Sequence, residues 1–295
     1  MLILGGIPTA PITLGLGVFD GVHVGHQKIV ARSEALLTFM PHPDCVLGKN
    51  KTLKYLTTLR EQRALVPHLL GLRFTRKIAS LPYTVFLDAL CARVPVKALV
   101  VGEDFCCGAG RQGTPERLVA WGRVVGVPVH VEPLHAYQGQ PVKSADIRDL
   151  ILAGKLQDAV ARLGHPYPIS GRVIAGKGMG RQLGFPTANL QIPRYKLLPP
   201  TGVYGGYCER EGQRLPSLLY IGYRPTFGLK TLSVEVHILQ PDVSVASEKS
   251  LDLYGEQLSF HLCYPIRGDM RFETPEALIR QIEADRDVVR SIGHG

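Results

Sequence analysis

The chain has no run of 18 consecutive apolar residues, which excludes a membrane-spanning helix. It has no CxxC pair, and its cysteines at 45, 91, 106, 107, 208 and 263 lack the spacing of a disulfide framework, so a reducing, cytoplasmic compartment is expected. No basic n-region precedes the apolar start, Met1 to Val18, which therefore reads as a buried strand and not as a signal peptide. Clusters of Lys and Arg interleaved with aromatics are missing too, which argues against nucleic acid as a partner. There is no internal repeat and no low-complexity tract. What remains is a folded protein whose binding site should be a real cavity.

Apolar residues make up 45% of the 295 and charged residues 20%, a composition that supports real cavities, and the length suggests two domains. The formal charge of +9 favours anionic ligands, and it is uneven. Residues 1–164 hold 19 Lys+Arg against 12 Asp+Glu, while the remainder holds 15 against 13.

In the first half, β-branched runs (ITLGLGVF, LLTF, VKALVVG, VPVHVEPL) alternate with helical patterns, the signature of a parallel α/β sheet. KSADIRDLILAGKLQDAVARLG then carries apolar residues at helical spacing, with Gly154 between two helices. HPYP at 165–168 is aperiodic and doubly proline-bearing, and reads as a linker. Strand-like runs follow (ISGRVIAG, GVYGGYC, LPSLLYIG, LSVEVHIL, QLSFHLCYPI), for which a small closed barrel is the expected solution. A final helix is expected after Thr274 as N-cap, with Pro275 at its first position. The reading is α/β plus β: a Rossmann-like domain over 1–164, a linker at 165–168, and a Greek-key barrel with a C-terminal helix over 169–295.

GVFDGVHVGH, Gly17 to His26, lies between a predicted strand and a helix. There, glycines let the backbone approach a phosphate while the helix N-terminus offers unpaired N–H groups. His23 and His26 can donate to phosphate oxygens where charge develops in an in-line displacement, with no covalent nucleophile required. Two imidazoles alone are too few ligands for a metal.

Farther on, GRVIAGKGMGRQLGFPTANL (171–190) joins a glycine-rich turn to PTAN; no GK[ST] follows, so it is not a Walker A loop. Gly176, Gly178 and Gly180 suit a flap that wraps nucleotide phosphates. Thr187 and Asn189 alternate along an extended segment and share a face, offering two neutral oxygens to Mg²⁺. Glu235, in LSVEVHIL, faces away from Val234 and Val236 and suits a general base toward a primary hydroxyl.

The first half resembles the adenylyltransferase module of bacterial FAD synthetases: GVFDGVHVGH looks like that family's GxFDGxHxGH, TFMPHP (38–43) like TFxPHP, VVGEDFCCGAGRQGT (100–114) like VGxDFxFGxxxxG, and VKSADIR (142–148) like SSTxIR. The chain departs from these patterns with only 11 residues between His26 and Thr38, with Lys143 and Ala145 where hydroxyls are usual, and with Cys107 for an aromatic. The second half resembles riboflavin kinase through GRVIAGKGMGRQLGFPTANL, GVYGG (202–206), YIGYRPTF (220–227), VEVHIL, DLYG (252–255) and RFETPEALIRQIEAD.

These resemblances imply a bifunctional enzyme of the riboflavin kinase and FMN adenylyltransferase family, using Mg²⁺ and ATP, with riboflavin, FMN and FAD as substrates or products. His23, His26 and Glu235 would be catalytic. Gly17, Phe19, Asp20, Gly25, Ser144 and Arg148 would bind ATP phosphates in the first half; Gly176, Gly178, Gly180, Arg181, Thr187 and Asn189 would do so in the second. Thr187 and Asn189 would hold the metal, and Asp104, Arg267 and Phe272 the flavin. A riboflavin kinase with a degenerate, ligand-binding N-terminal half is the alternative.

Overall fold

The computed structural model describes residues 2–66, 68–133, 135–176, 179–226, 229–239 and 253–292. The chain divides into two compact units, Met1–Asp146 and Ile147–Gly295.

The first unit is built on a six-stranded sheet: β1 (Ile3–Leu4), β2 (Ile12–Leu16), β3 (Ala35–Met40), β4 (Leu69–Arg73), β5 (Val96–Gly102) and β6 (Val129–Glu132), in the order β1-β4-β3-β2-β5-β6. All neighbours run parallel except β1, which pairs antiparallel with β4. β2, β3 and β5 are apolar on both faces, as strands covered by helices on each side must be. Leu14, Leu37, Leu70, Leu72 and Leu99 are fully buried, each stabilising the unit by about 1.5–3 kcal/mol. A small hairpin, β7 (Ala136–Tyr137) and β8 (Gln140–Pro141), ends the unit's strands.

The helices are α1 (Val24–Ala31), α2 (Pro43–Val46), α3 (Leu59–Leu65), α4 (Arg76–Ala79), α5 (Tyr83–Cys91) and α6 (Pro115–Val125); α7 (Ser144–Leu152) begins in this unit and continues into the second. One face of the sheet buries Phe19, Val22, Ile29, Leu36, Val66 and Val100. The other buries Phe39, Phe86, Leu87, Leu90, Leu118 and Trp121. The short stretch between His26 and Thr38 is accommodated because α1 has only eight residues and β3 starts at Ala35, in register with Leu14 of β2. The strand LLGLR of β4, which the sequence reading did not pick out, has no alternation because it is buried on both faces.

Gly154, at φ +73, separates α7 from α8 (Leu156–Leu163). The barrel comprises β9 (Tyr167–Ile174), β10 (Ala188–Gln191), β11 (Gly202–Arg210), β12 (Gln213–Thr226), β13 (Leu229–Ile238) and β14 (Gln257–Gly268), closed in the order β10-β13-β12-β11-β14-β9. Of the HPYP segment, Tyr167 and Pro168 stand in β9, where Tyr167 is fully buried. Closure through the β9–β10 pair leaves no open edge. The short helix α9 (Met179–Gln182) precedes β10, and α10 (Pro275–Ile292) packs on β11 and β12. α10 begins as its sequence suggests, the Thr274 hydroxyl accepting from the Ala277 amide at 3.2 Å.

Candidate functional site

Strand order reverses direction at β2, with β3 on one side and β5 on the other. Such a switch point opens a crevice at the carboxyl ends of the two strands, where ligands bind. The turn after β2 is GVFDGVH, and its backbone is strained: Phe19 and Val22 have φ of +52° and +42°. Buried hydrogen bonds hold it. The Asp20 carboxylate accepts from the Leu56 and Thr57 amides at 3.1 and 2.9 Å, the Gly21 amide donates to the Thr57 hydroxyl at 2.8 Å, and Gln62 donates to the Phe19 carbonyl at 3.1 Å. Asp20, expected at the phosphates, thus anchors the turn that carries the histidines.

His23 is the N-cap of α1 and is buried; its ring stacks on His26 with centroids 3.7 Å apart, while the Phe19 ring meets His26 edge-on at 5.3 Å. Burial, reinforced by the neighbouring His23, holds the His26 pKa well below the usual histidine value, so the ring is neutral at pH 7. Its Nδ1 is buried with no hydrogen-bond partner among the described residues. A neutral imidazole keeps one N–H, and one that lines a crevice at a helix N-terminus is suited to donate to an oxyanion. Gly25 lies against the His23 ring: a Cβ there would be 3.2 Å from it. Ser144, first residue of α7, donates to the Asp20 carbonyl at 2.9 Å, which brings the VKSADIR segment to the same turn. Arg148 lies one turn farther along α7 and is half-buried.

A cavity of about 640 Å³ runs along this edge, lined by Gly17, Phe19 and His26 at one part and by Phe39, Phe74 and Phe86 at another. Asp104, Cys106 and Cys107 also line it. The three phenylalanines, which sequence reasoning did not single out, come from separate elements and carry no shared motif. Their rings offer an apolar wall for a flat heterocycle.

In the second unit, cross-strand register sets the constellation. Asn189 of β10 and Tyr220 of β12 both pair with Glu235 of β13, so the three share one face, opposite buried Val234 and Val236. Two hydroxyls hold the Glu235 carboxylate: Thr187 donates to Oε2 at 3.0 Å and Ser233 to Oε1 at 3.1 Å. Ser233 was missed from sequence; its position two residues before Glu235 on the same strand face is the signal that could have found it. The glycine flap lies directly on the PTAN segment. A Cβ at Gly176 would fall 2.1 Å from the Asn189 amide nitrogen, and one at Gly180 would fall 2.4 Å from the Phe185 carbonyl. Gly178 lies outside the described residues, and Arg181 stands in α9.

Thr187, Asn189 and Glu235 present hydroxyl, amide and carboxylate oxygens, a hard donor set that fits Mg²⁺ shared with substrate phosphates. Thr187, having donated its proton to Glu235, keeps its oxygen lone pairs for a cation. Beneath PTAN, buried His237 binds the Pro186 carbonyl at 2.9 Å and meets Phe185 edge-on, and the Arg286 guanidinium lies over the Phe185 ring. The Arg267 guanidinium is committed to Asp285 of α10, with Nε 3.0 Å from both carboxylate oxygens, and lies 5.7 Å from the half-buried Phe272 ring.

Comparison with known proteins places each half of the chain in a family. Residues 8–146 match the FAD synthetase family and residues 163–292 the riboflavin kinase family. Curated relatives named bifunctional riboflavin kinase/FMN adenylyltransferase include those of Listeria monocytogenes (32% identical, covering 94% of this chain and 91% of the relative) and Escherichia coli K12 (33%, 96% and 93%). The Bacillus subtilis protein of the same name is 33% identical over 94% of this chain and 91% of its own. A crystal structure described as a macrolide-efflux protein from Streptococcus pneumoniae superposes with a TM-score of 0.78 at 27% identity, covering 96% of this chain and 95% of that one. No helix among the described residues here is long and apolar enough to cross a membrane.

Proposed function

The chain belongs to the bifunctional riboflavin kinase/FMN adenylyltransferase family, and from that premise we propose how its residues divide the work. The enzyme phosphorylates riboflavin to FMN with ATP, and transfers AMP from a second ATP to FMN, giving FAD and pyrophosphate. We assign adenylyl transfer to residues 1–164 and phosphorylation to the barrel and its closing helix, where Tyr167 and Pro168, expected in a linker, already belong to the first barrel strand. Relatives named for both activities, matched over nearly the whole chain, favour this reading over a kinase with a degenerate first half.

In the barrel, the flap around Gly176 and Gly180 covers the ATP phosphates, with Arg181 as a further phosphate contact. Glu235, oriented by Thr187 and Ser233, accepts the proton of the ribityl 5′-hydroxyl as that oxygen attacks the γ-phosphorus, the bond to the bridging oxygen breaks and ADP leaves. Thr187 and Asn189 would hold Mg²⁺, which when bound neutralises charge on the transferring phosphate. Phe272 is proposed against the flavin ring, and Arg267, whose charge Asp285 already balances, beside it.

In the first unit, a phosphate oxygen of FMN attacks the α-phosphorus of ATP and the bond to the bridging oxygen breaks, releasing pyrophosphate. Charge accumulates on the α-phosphate and the leaving group, where the α1 N-terminal amides, His23 and neutral His26 donate. Gly17, Gly25 and Ser144 border the same phosphates, Phe19 packs the His26 ring, and Asp20 holds the turn. Arg148 is proposed as a phosphate contact and Asp104 as a flavin contact. Six free thiols suit the reducing interior, and we place the enzyme in the cytoplasm.

The observation that carries the reading is that this one chain holds both a stacked His23–His26 pair at the nucleotide crevice and a hydroxyl-clamped Glu235 beside PTAN. Chromatography of products from Mg-ATP with riboflavin or FMN tests it. His26→Ala is expected to lose FAD formation and keep FMN formation, with Glu235→Ala showing the reverse. Wild-type protein that makes FMN and no FAD would overturn the assignment to the first unit.

A further inference from the structure

We infer that Arg111 anchors the phosphate of the flavin substrate in the first unit, and so selects FMN over unphosphorylated riboflavin for adenylyl transfer. The inference rests on the assignment of that reaction to this cleft. Arg111 lines the 640 Å³ cavity that also reaches His26 and Phe86. Asp44 and Asp104 line the same cavity, yet neither pairs with Arg111, whose guanidinium makes no ion pair or hydrogen bond among the described residues. A guanidinium left unclaimed by nearby carboxylates retains its planar fork of donors for an incoming oxyanion, and phosphate matches that fork.

Arg111 is exposed, and its backbone supports a built position. Arg111 sits at φ +58°, a left-handed conformation that costs a residue with a side chain about 1 kcal/mol or more. The loop around it is over-determined. Cys107 and Gly113 exchange backbone hydrogen bonds at 3.1 and 2.9 Å, and the Ala109 amide donates to the Leu81 carbonyl at 2.7 Å. A Cβ at Gly108 would lie 2.6 Å from the Tyr83 amide nitrogen, so glycine is required for the loop to press against the start of α5.

Placement then distinguishes the two phosphorylated substrates. The turn from Gly17 to His26 follows β2 and, with the rest of α1, packs through Phe19, Val22 and Ile29 on one face of the sheet. The loop bearing Arg111 follows β5 and rests on Leu81 and Tyr83, which pack with Phe86 on the opposite face. The helix N-terminus with its two imidazoles serves the nucleotide. The second substrate, a flat ring carrying a phosphate ester, takes the side walled by phenylalanines, and Arg111 is the counter-charge on that side. Unphosphorylated riboflavin has no anionic group to offer it.

Initial rates of FAD formation by the full chain, with FMN and ATP varied separately, test this in wild type, Arg111→Gly and Arg111→Lys. Glycine is chosen because it accepts the positive φ without strain, so lost function is not lost fold. The KM for FMN is expected to rise at least about tenfold in Arg111→Gly while that for ATP stays within about twofold, as loss of one charge-assisted pair implies. Arg111→Lys should recover part of the loss. A rise in the KM for ATP instead, or no change in either, overturns the assignment while leaving adenylyl transfer in place. Wild-type protein that forms no FAD overturns both the functional reading and this role.

Discussion

Acidification is expected to loosen the second unit through His237. Its Nδ1 faces the Pro186 carbonyl at 2.9 Å, and because a carbonyl only accepts, that nitrogen carries the proton and the neutral ring has Nε2 bare. Burial, with Arg286 and Arg290 adding positive charge nearby, pushes its pKa down to about 4. An unfolded histidine titrates near ~6.5. Above that pH both states are neutral and stability is independent of this group. Between about 6.5 and 4 the unfolded chain binds a proton that the folded chain refuses, so stability falls as pH falls. The loss amounts to roughly 2 kcal/mol at pH 5 and roughly 3 kcal/mol at pH 4, where it begins to level off. Nuclear magnetic resonance titration of the imidazole protons, with His237→Asn to assign the signal, measures the pKa. Hydrogen exchange at the β13 amides across the same pH range measures the stability. The variant should lose the His237 share of the pH dependence, since its amide can still donate to Pro186 but does not titrate. A His237 resonance titrating at 6 or above, or β13 protection with the same pH slope in the variant, would refute the reasoning.

Thr187→Val removes the hydroxyl that orients Glu235 and is proposed to hold Mg²⁺, and should lower kcat/KM for riboflavin phosphorylation by about 100-fold or more, with Thr187→Ser recovering most of it in the same assay. Gly176→Ala places a methyl 2.1 Å from the Asn189 amide and should raise the KM for ATP in the kinase reaction about tenfold, read from initial rates. Asp20→Asn swaps a carboxylate oxygen that accepts from buried amides for a donor, and should destabilise the first unit by about 1–3 kcal/mol, read by denaturant unfolding followed through Trp121 fluorescence.

Much of the architecture was legible because its periodicities are local. The alternation in LSVEVHIL set Glu235 against Val234 and Val236, and the structure keeps that division. Thr274 and Pro275 announced the start of α10, and Gly154 the break between α7 and α8. The strand LLGLR was not legible, since a strand buried on both faces shows no alternation to distinguish it from a loop or a helix. Asp20 was legible as part of a motif but not in its task, which depends on Leu56 and Thr57, more than thirty residues away.

The sequence by itself determined which short segments turn, cap and alternate, and which residue types stand ready for phosphate chemistry, because those properties are set within a few residues along the chain. Only the tertiary structure decided that Thr187 and Ser233 clamp one carboxylate, that desolvation keeps His26 neutral, and that three phenylalanines share one cleft with Arg111, which has no ion pair among the described residues. Each of those depends on residues brought together by strand register, crossover and burial, and the desolvation and pairing that give them their chemistry do not exist until the chain has closed around them.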